Sequence, residues 1–299
     1  MQGELLWVYE GLTTYLGPVL TVRSGLWTSA DYREKLALEA AKLEHEPGRT
    51  WRPLADTAVA AQLLYGARKE GSAWRRGVDF YPEGALIWLE ADVLIRQQSQ
   101  GRRSLDDFCR RFFGGQNGPP QVVPYTLDDV VVALNKVAPH DWRQFFRTRV
   151  YETSRRPPLG GIEKAGWRLS YTNAVPAMLK SLESARKFTD LRFSLGLILG
   201  EEGAVQDVIS GSPADRAGVG PGMKMIAANG RRWTAERLRV AVKTAGTNAA
   251  PIELLVENDD YFHSCKVDYR EGEKYPVLER DPAKPDLLAE ILKPLTSAP

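Results

Sequence analysis

The chain has 299 residues, room for about two domains at roughly 100–200 residues each. With 43% hydrophobic and 26% charged residues it can bury a core without staples. Lys plus Arg number 40 and Asp plus Glu 38, so a net charge of +2 supplies no whole-molecule field to draw in nucleic acid or an anionic membrane. Two cysteines, Cys109 and Cys265, exclude a disulfide scaffold and a cysteine-rich zinc module, and they fall in different expected domains. The three histidines, His45, His140 and His263, include no i, i+4 pair. His45-Glu46 opens like H-E-x-x-H, but Arg49 stands where the second histidine belongs. No apolar run approaches the ~18 residues of a transmembrane helix. The first residues lack the basic and apolar regions of a signal peptide. A helical pattern begins there almost at once, so the chain is expected to be the later part of a longer protein.

Leu5, Leu6, Tyr9, Leu12, Leu16 and Leu20 recur near a 3.6 period and predict a helix over 5–27. Asp31–Leu43 predicts a second, ended by Pro47-Gly48, and Thr57–Ala67 a third. Gly84–Gln97 is a strongly apolar fourth. Ser104-Leu105-Asp106-Asp107 and Thr126-Leu127-Asp128-Asp129 resemble capping boxes and open a fifth and a sixth, with a loop over Gly114–Pro120 between them. Asp141 caps a seventh, Trp142–Tyr151. Arg155-Arg156-Pro157-Pro158 reads as a linker. Beyond it, Leu195–Leu199, Ala204–Ile209, Lys224–Ala228 and Ile252–Val256 are short apolar runs between glycines and predict strands, with one helix at Thr234–Thr244. A last helical piece is expected at Leu287–Leu292. The expected fold is a multidomain α+β protein: an all-α helical domain over 1–158, a connecting segment over 159–189, a small β-rich domain over 190–270 and a tail over 271–299.

In the β-rich part, Gly211-Ser212-Pro213-Ala214 is followed by Ala217-Gly218-Val219, Pro221-Gly222, Ile226 and Asn229-Gly230. This order resembles a PDZ domain, with Met223 where that family usually has Asp. The resemblance implies binding of a peptide C-terminus by strand addition. It assigns the carboxylate to backbone N–H groups of Ser194-Leu195-Gly196-Leu197 and the groove wall to Leu238 and Val242. The residues alone leave open that all six only pack a core.

Near the start, Trp7, Glu10-Gly11, Thr13 and Tyr15 make a W-x-x-E-G-x-T-x-Y run. It resembles the second half of a gluzincin zinc site, which implies that Glu10 is the third zinc ligand beside two histidines. Tyr81-Pro82-Glu83-Gly84-Ala85-Leu86 resembles the Y-x-K-G-A-L segment of gluzincin aminopeptidases, with Glu83 in place of lysine. That resemblance makes Tyr81 the donor to the oxyanion of the tetrahedral intermediate. A helical domain followed by a PDZ domain resembles the glycyl aminopeptidase family of zinc metallopeptidases. Gly48-Arg49, Asp56-Thr57-Ala58, Ser104–Phe108 and Glu279-Arg280 extend the likeness. The family's H-E-x-x-H has no counterpart here.

The resemblance therefore implies zinc in the intact enzyme, none held tightly by this chain, and no activity from this chain alone. It implies a peptide or protein substrate, a peptide C-terminus at the groove and an exported or periplasmic soluble protein, although the sequence itself leaves the compartment open. Arg75-Arg76, Arg102-Arg103, Arg110-Arg111 and Arg155-Arg156 are scattered among acids and read as solvated surface, with no nucleic acid expected. Trp88 and Trp142 sit in apolar helical patterns and read as core. The alternative function is a helical platform with a PDZ module that binds peptide C-termini without chemistry.

Overall fold

The computed structural model describes residues 3–294 apart from 69, 116, 120, 248 and 249. Two positions of the expected loop Gly114–Pro120 and the last five of the expected tail thus lie outside the described residues. The first part is helical: α1 (Leu6–Arg23), α2 (Ser29–Glu44), a 3-10 turn (Pro47–Thr50), α3 (Leu54–Val59), α4 (Ala61–Tyr65), α5 (Ser72–Arg75), α6 (Pro82–Ser99), α7 (Leu105–Phe112), α8 (Leu127–Asn135) and α9 (Trp142–Phe146), which runs into a π-helical turn (Arg147–Tyr151). The expected third helix is two short ones, α3 and α4, parted at Ala60. Both expected capping boxes form, Ser104 with Asp107 and Thr126 with Asp129. Each satisfies backbone N–H groups that the first helical turn cannot pair internally.

The apolar pattern of α6 runs all round it, and the helix is buried from Glu83 to Val93. Helix α1 lies along it and buries Trp7, Val8, Leu12 and Tyr15. Trp7, Trp88, Trp142, Phe108 and Phe146 are fully buried together in this core. The Trp7 and Phe146 rings lie 4.8 Å apart and those of Trp88 and Phe108 5.4 Å. Both distances suit the offset and tilted contacts that aromatic rings favour.

The connecting segment carries α10 (Gly160–Lys164), β1 (Trp167–Thr172) and α11 (Ala177–Arg186). The β-rich domain follows with β2 (Phe188–Leu191), β3 (Leu197–Gly200), β4 (Val205–Val208), α12 (Pro213–Arg216), β5 (Lys224–Ala228), β6 (Arg231–Arg232), α13 (Ala235–Thr244), β7 (Ile252–Asn258) and β8 (Tyr261–Val267). Its strands form two antiparallel sheets, in the orders β2-β3-β4 and β6-β5-β7-β8. Asn229 (φ 49°) and Gly230 (φ 72°) make the two-residue turn from β5 to β6, the left-handed backbone that Asn-Gly favours. This domain buries a second core of its own, with Leu197, Leu199, Leu238, Val242, Leu254 and Val256. Cys109 on α7 and Cys265 on β8 are both free.

The segment after residue 270 is not an appended tail. Strand β9 (Tyr275–Arg280) pairs antiparallel with β1, and α14 (Leu287–Leu292) buries Leu288, Ile291 and Leu292 in the helical core. The chain therefore leaves the helical domain, builds the β-rich one and returns. The two domains also meet directly. Buried Asp207 on β4 accepts from Ser72 Oγ at 2.7 Å and from the Ala73 N–H at 2.9 Å. Phe193, between β2 and β3, packs edge-on against His45 with centroids 5.3 Å apart.

Candidate functional site

Two glycines decide how close α1 and α6 come. A Cβ on Gly11 would stand 2.8 Å from Gly84 Cα, and one on Gly84 would stand 2.8 Å from Gly11 Cα. Real Cβ atoms do not come so near backbone, so only glycine allows this crossing. Each glycine neighbours a residue singled out from the sequence. Glu10 precedes Gly11 on α1, and Tyr81 is the N-cap residue of α6, three before Gly84. The crossing brings Glu10 and Tyr81 together. Glu10 is half-buried, with its carboxylate beside the Tyr81 hydroxyl.

The Tyr81 hydroxyl lies 2.8 Å from that of Tyr65, which is exposed on α4. The bond to Tyr65, then burial, then the hydrogen bond and charge of Glu10 push the Tyr81 phenol well above its ordinary value. Tyr81 thus stays protonated across the range in which enzymes work, as a hydrogen-bond donor. Its ring packs on Phe80 at 4.6 Å, and Pro82 at the first helical position fixes the backbone where α6 begins.

The start of α6 is anchored from below by buried ions. Glu83 pairs with both Arg49 and Arg76, and Arg76 also pairs with Asp79 at 2.7 Å. All four side chains are at least nine-tenths buried. Three of them, Arg49, Arg76 and Asp79, carried no functional reading in the sequence. Arg76 corrects the reading of Arg75-Arg76 as solvated surface: its residue exposure is 1%. Its backbone is left-handed, with φ 64°, and turns the guanidinium inward, where only paired charge is tolerated. Arg102, Arg103, Arg110, Arg155 and Arg156 are exposed, as expected. A pocket of about 400 Å³ shares Arg49, Arg76 and Glu83 with this anchor and continues past Glu90, Arg149 and Gly160. Burial pushes the Glu90 carboxyl up, but its bonds to Arg149 and Lys164 outweigh that and hold it below its ordinary value.

The six residues assigned to a peptide groove lie together in the other domain, apart from Glu10 and Tyr81. Leu195, Leu197, Leu238 and Val242 are fully buried, and Ser194 is 6% exposed. Gly196 has φ 76°, and a Cβ there would stand 2.1 Å from Ser212 Cβ. The Gly211-Ser212-Pro213-Ala214 motif therefore packs against this loop, and the Ala214 N–H donates to Leu195 O at 3.0 Å. The edge of β3 beside these residues is paired: β2 lies along β3, and the loop N–H groups meet the Leu191 carbonyl. His45 is structural. It ends α2, with Nδ1 2.8 Å from Ala41 O.

Residues 1–87, the segment that holds Glu10, Gly11, Tyr81 and Gly84, match the family model of the M61 glycyl aminopeptidase. Among solved structures, an aminopeptidase N family protein from Idiomarina loihiensis matches at a TM-score of 0.68 and 19% identity, over 98% of this chain and 49% of that one. This chain therefore spans about half the length of that protein, and the likeness is one of fold. The HtrA3 PDZ domain bound to a phage-derived ligand matches at 18% identity over 38% of this chain and 93% of that domain, with a TM-score of 0.19, on which nothing rests. No curated protein compared with the chain matches it. The segment that brings Glu10 and Tyr81 together is thus the part similar to the M61 glycyl aminopeptidase family model, and the chain as a whole shares its fold with about half of the Idiomarina loihiensis protein.

Proposed function

We propose that this chain carries the helical side of a peptide-hydrolysing active site, joined to a PDZ-like peptide-binding module. The observation that supports this most is the meeting of Glu10 and Tyr81 where Gly11 crosses Gly84. Either hydroxyl can donate in the Tyr65–Tyr81 bond, and when Tyr65 donates, the Tyr81 proton is free for an acceptor on the Glu10 side. The oxyanion formed when a scissile carbonyl is attacked there takes that hydrogen bond. The bond strengthens as charge develops, which is what lowers a barrier rather than tightening substrate binding.

In this reading Glu10 is a zinc ligand, but the residues present do not fit the metal by themselves. A catalytic zinc takes three protein ligands and an open position. Among the described residues, no three His, Cys, Asp or Glu side chains come together in a way that could hold an ion. The two histidines of the site belong to residues that this chain does not carry, and the chain alone is inactive. The completed site would act on peptides and remove a small N-terminal residue. The PDZ-like reading is supported by the order of motifs from Gly211 to Gly230 and by the packing of Ser212 under Gly196.

The test joins this chain to a segment bearing an H-E-x-x-H helix, loads the product with zinc and dialyses it. One retained zinc, lost in Glu10→Ala and kept in Tyr81→Phe, supports the assignment. Equal retention with and without the Glu10 carboxylate removes the ligand role and favours a binding platform without chemistry.

A further inference from the structure

Strand β3 has no free edge. On one side it pairs with β4, and on the other with β2, where Leu191 faces Leu197 and Phe188 faces Gly200. β2 runs antiparallel to β3 with its C-terminal end at the Ser194–Leu197 loop, the direction and place of a peptide added by its C-terminus. The N–H groups of Ser194, Leu195 and Gly196 converge on one acceptor, the Leu191 carbonyl oxygen, at 3.2, 2.9 and 3.1 Å. Successive N–H groups aimed at one point form an anion-binding concavity, and here a main-chain carbonyl fills it. The Leu191 side chain is 2% exposed and shares a buried cluster with Leu195, Leu197, Leu238 and Val242.

The outer edge of β2 is closed as well. The Asp190 N–H donates to Glu183 Oε1 of α11 at 2.7 Å, and Arg239 of α13 pairs with the same carboxylate. The loop is held from outside by Phe193 on His45 and by the Lys274 N–H, which donates to Ser194 Oγ at 3.1 Å. We infer that β2 is a built-in ligand of the groove. Leu191 takes the place of a peptide's last residue, and a peptide supplied from outside binds only after β2 has been displaced. Glu183 and Arg239 are the latch on that strand. The inference rests on the PDZ-like reading of this domain and is independent of the zinc site.

The probe is a labelled synthetic peptide with the sequence of residues 186–191 and a free C-terminal carboxylate, with its C-terminal amide as control. Binding to the full chain is read by fluorescence anisotropy. Amide exchange of Ser194, Leu195 and Gly196 is read in the chain without peptide. Thr189→Pro removes a ladder donor opposite Leu199, and Glu183→Gln weakens the latch without touching the backbone. The intact chain should protect all three amides and bind the probe about 100-fold more weakly than either variant, as expected when the competent state is about 1% populated. The amide control should stay weak throughout. Fast exchange of the three amides, or equally tight binding by the intact chain, overturns the occupancy. Protected amides with no gain in either variant, each shown to be folded by circular dichroism, overturn the PDZ-like reading and the inference with it. If Thr189→Pro does not fold, Glu183→Gln and the exchange data decide the outcome.

Discussion

Replacing Gly11 with alanine tests the geometry on which the candidate site depends. The new methyl would stand 2.8 Å from Gly84 Cα, 2.9 Å from its carbonyl carbon and 3.2 Å from its oxygen. These are backbone atoms of a buried helix, so no rotamer change relieves them. Carbon atoms rest at about 3.5–4.0 Å, so α1 and α6 must part by about 1 Å. Overpacking of this kind costs roughly 1–3 kcal/mol, while alanine regains about 1 kcal/mol of helix propensity. The separation also loosens the packing of Trp7, Val8 and Leu12 along the same face. We expect a net loss of about 1 kcal/mol, which lowers the melting midpoint by about 2–4 °C for a domain of this size. Parting the helices also draws Glu10 from Tyr81, so the Tyr81 phenol should titrate at lower pH. Thermal melting by circular dichroism reads the first effect, and ultraviolet titration against a Tyr81→Phe background reads the second. Gly17→Ala on the same helix is the control. Nothing lies within 4 Å of its Cβ, and a gain in propensity is offset by the Pro18 ring that follows. A Gly11→Ala chain that melts at or above the unaltered chain refutes the argument.

Burial, then the Asp79 carboxylate, push the Glu46 carboxyl up to about 7 against the pull of Lys42, Arg192 and Arg76. Its ordinary value is about 4.3, so folding favours the neutral form: that contribution is full below about pH 4 and is lost as pH rises through about 7. Glu46→Gln should flatten the change in stability between about pH 5 and 8 and stabilise the chain at the upper end by at most about 4 kcal/mol. Urea unfolding at both ends shows it, and an unchanged pH slope excludes Glu46 as the source. Asp207→Ala leaves the Ala73 N–H and Ser72 hydroxyl without their partner and should cost about 1.5–3 kcal/mol, the value of hydrogen bonds to a charged group. A denaturation midpoint equal to that of the unaltered chain would remove the contact from the account. Metal analysis after dialysis of the chain alone should find far less than one zinc per molecule. A single tightly held zinc contradicts the incomplete-site reading.

Local signals were the legible ones. The caps at Ser104 and Thr126 and the apolar run of α6 each fix their element from neighbouring residues alone. Strands β1 and β9 were missed because each is defined by a partner at the far end of the chain, and Pro276 in β9 argues against a strand unless its edge is free. Strand β2, which straddles the expected boundary between 189 and 190, carries no strand signal for a similar reason. Phe188-Thr189-Asp190-Leu191 carries no turn signal toward β3, and the contacts that place Leu191 come from loop N–H groups. Arg76 looked like surface because its partners, Asp79 and Glu83, are reached only through a left-handed backbone. Glu10 and Tyr81 were found through a resemblance. The physical reason lay in the same motifs: each contains the glycine that lets the two helices touch.

The Glu10–Tyr81 site is tested most directly by steady-state hydrolysis in a protein that joins this chain to an H-E-x-x-H segment, with zinc bound, using an aminoacyl substrate with a small first residue. Tyr81→Phe removes one hydroxyl and leaves the ring on Phe80 and the crossing of α1 with α6 in place. The account predicts a fall in kcat of roughly 10²–10³-fold, the usual loss for one oxyanion donor, with KM nearly unchanged. An unaltered kcat in the folded, zinc-loaded variant would contradict it.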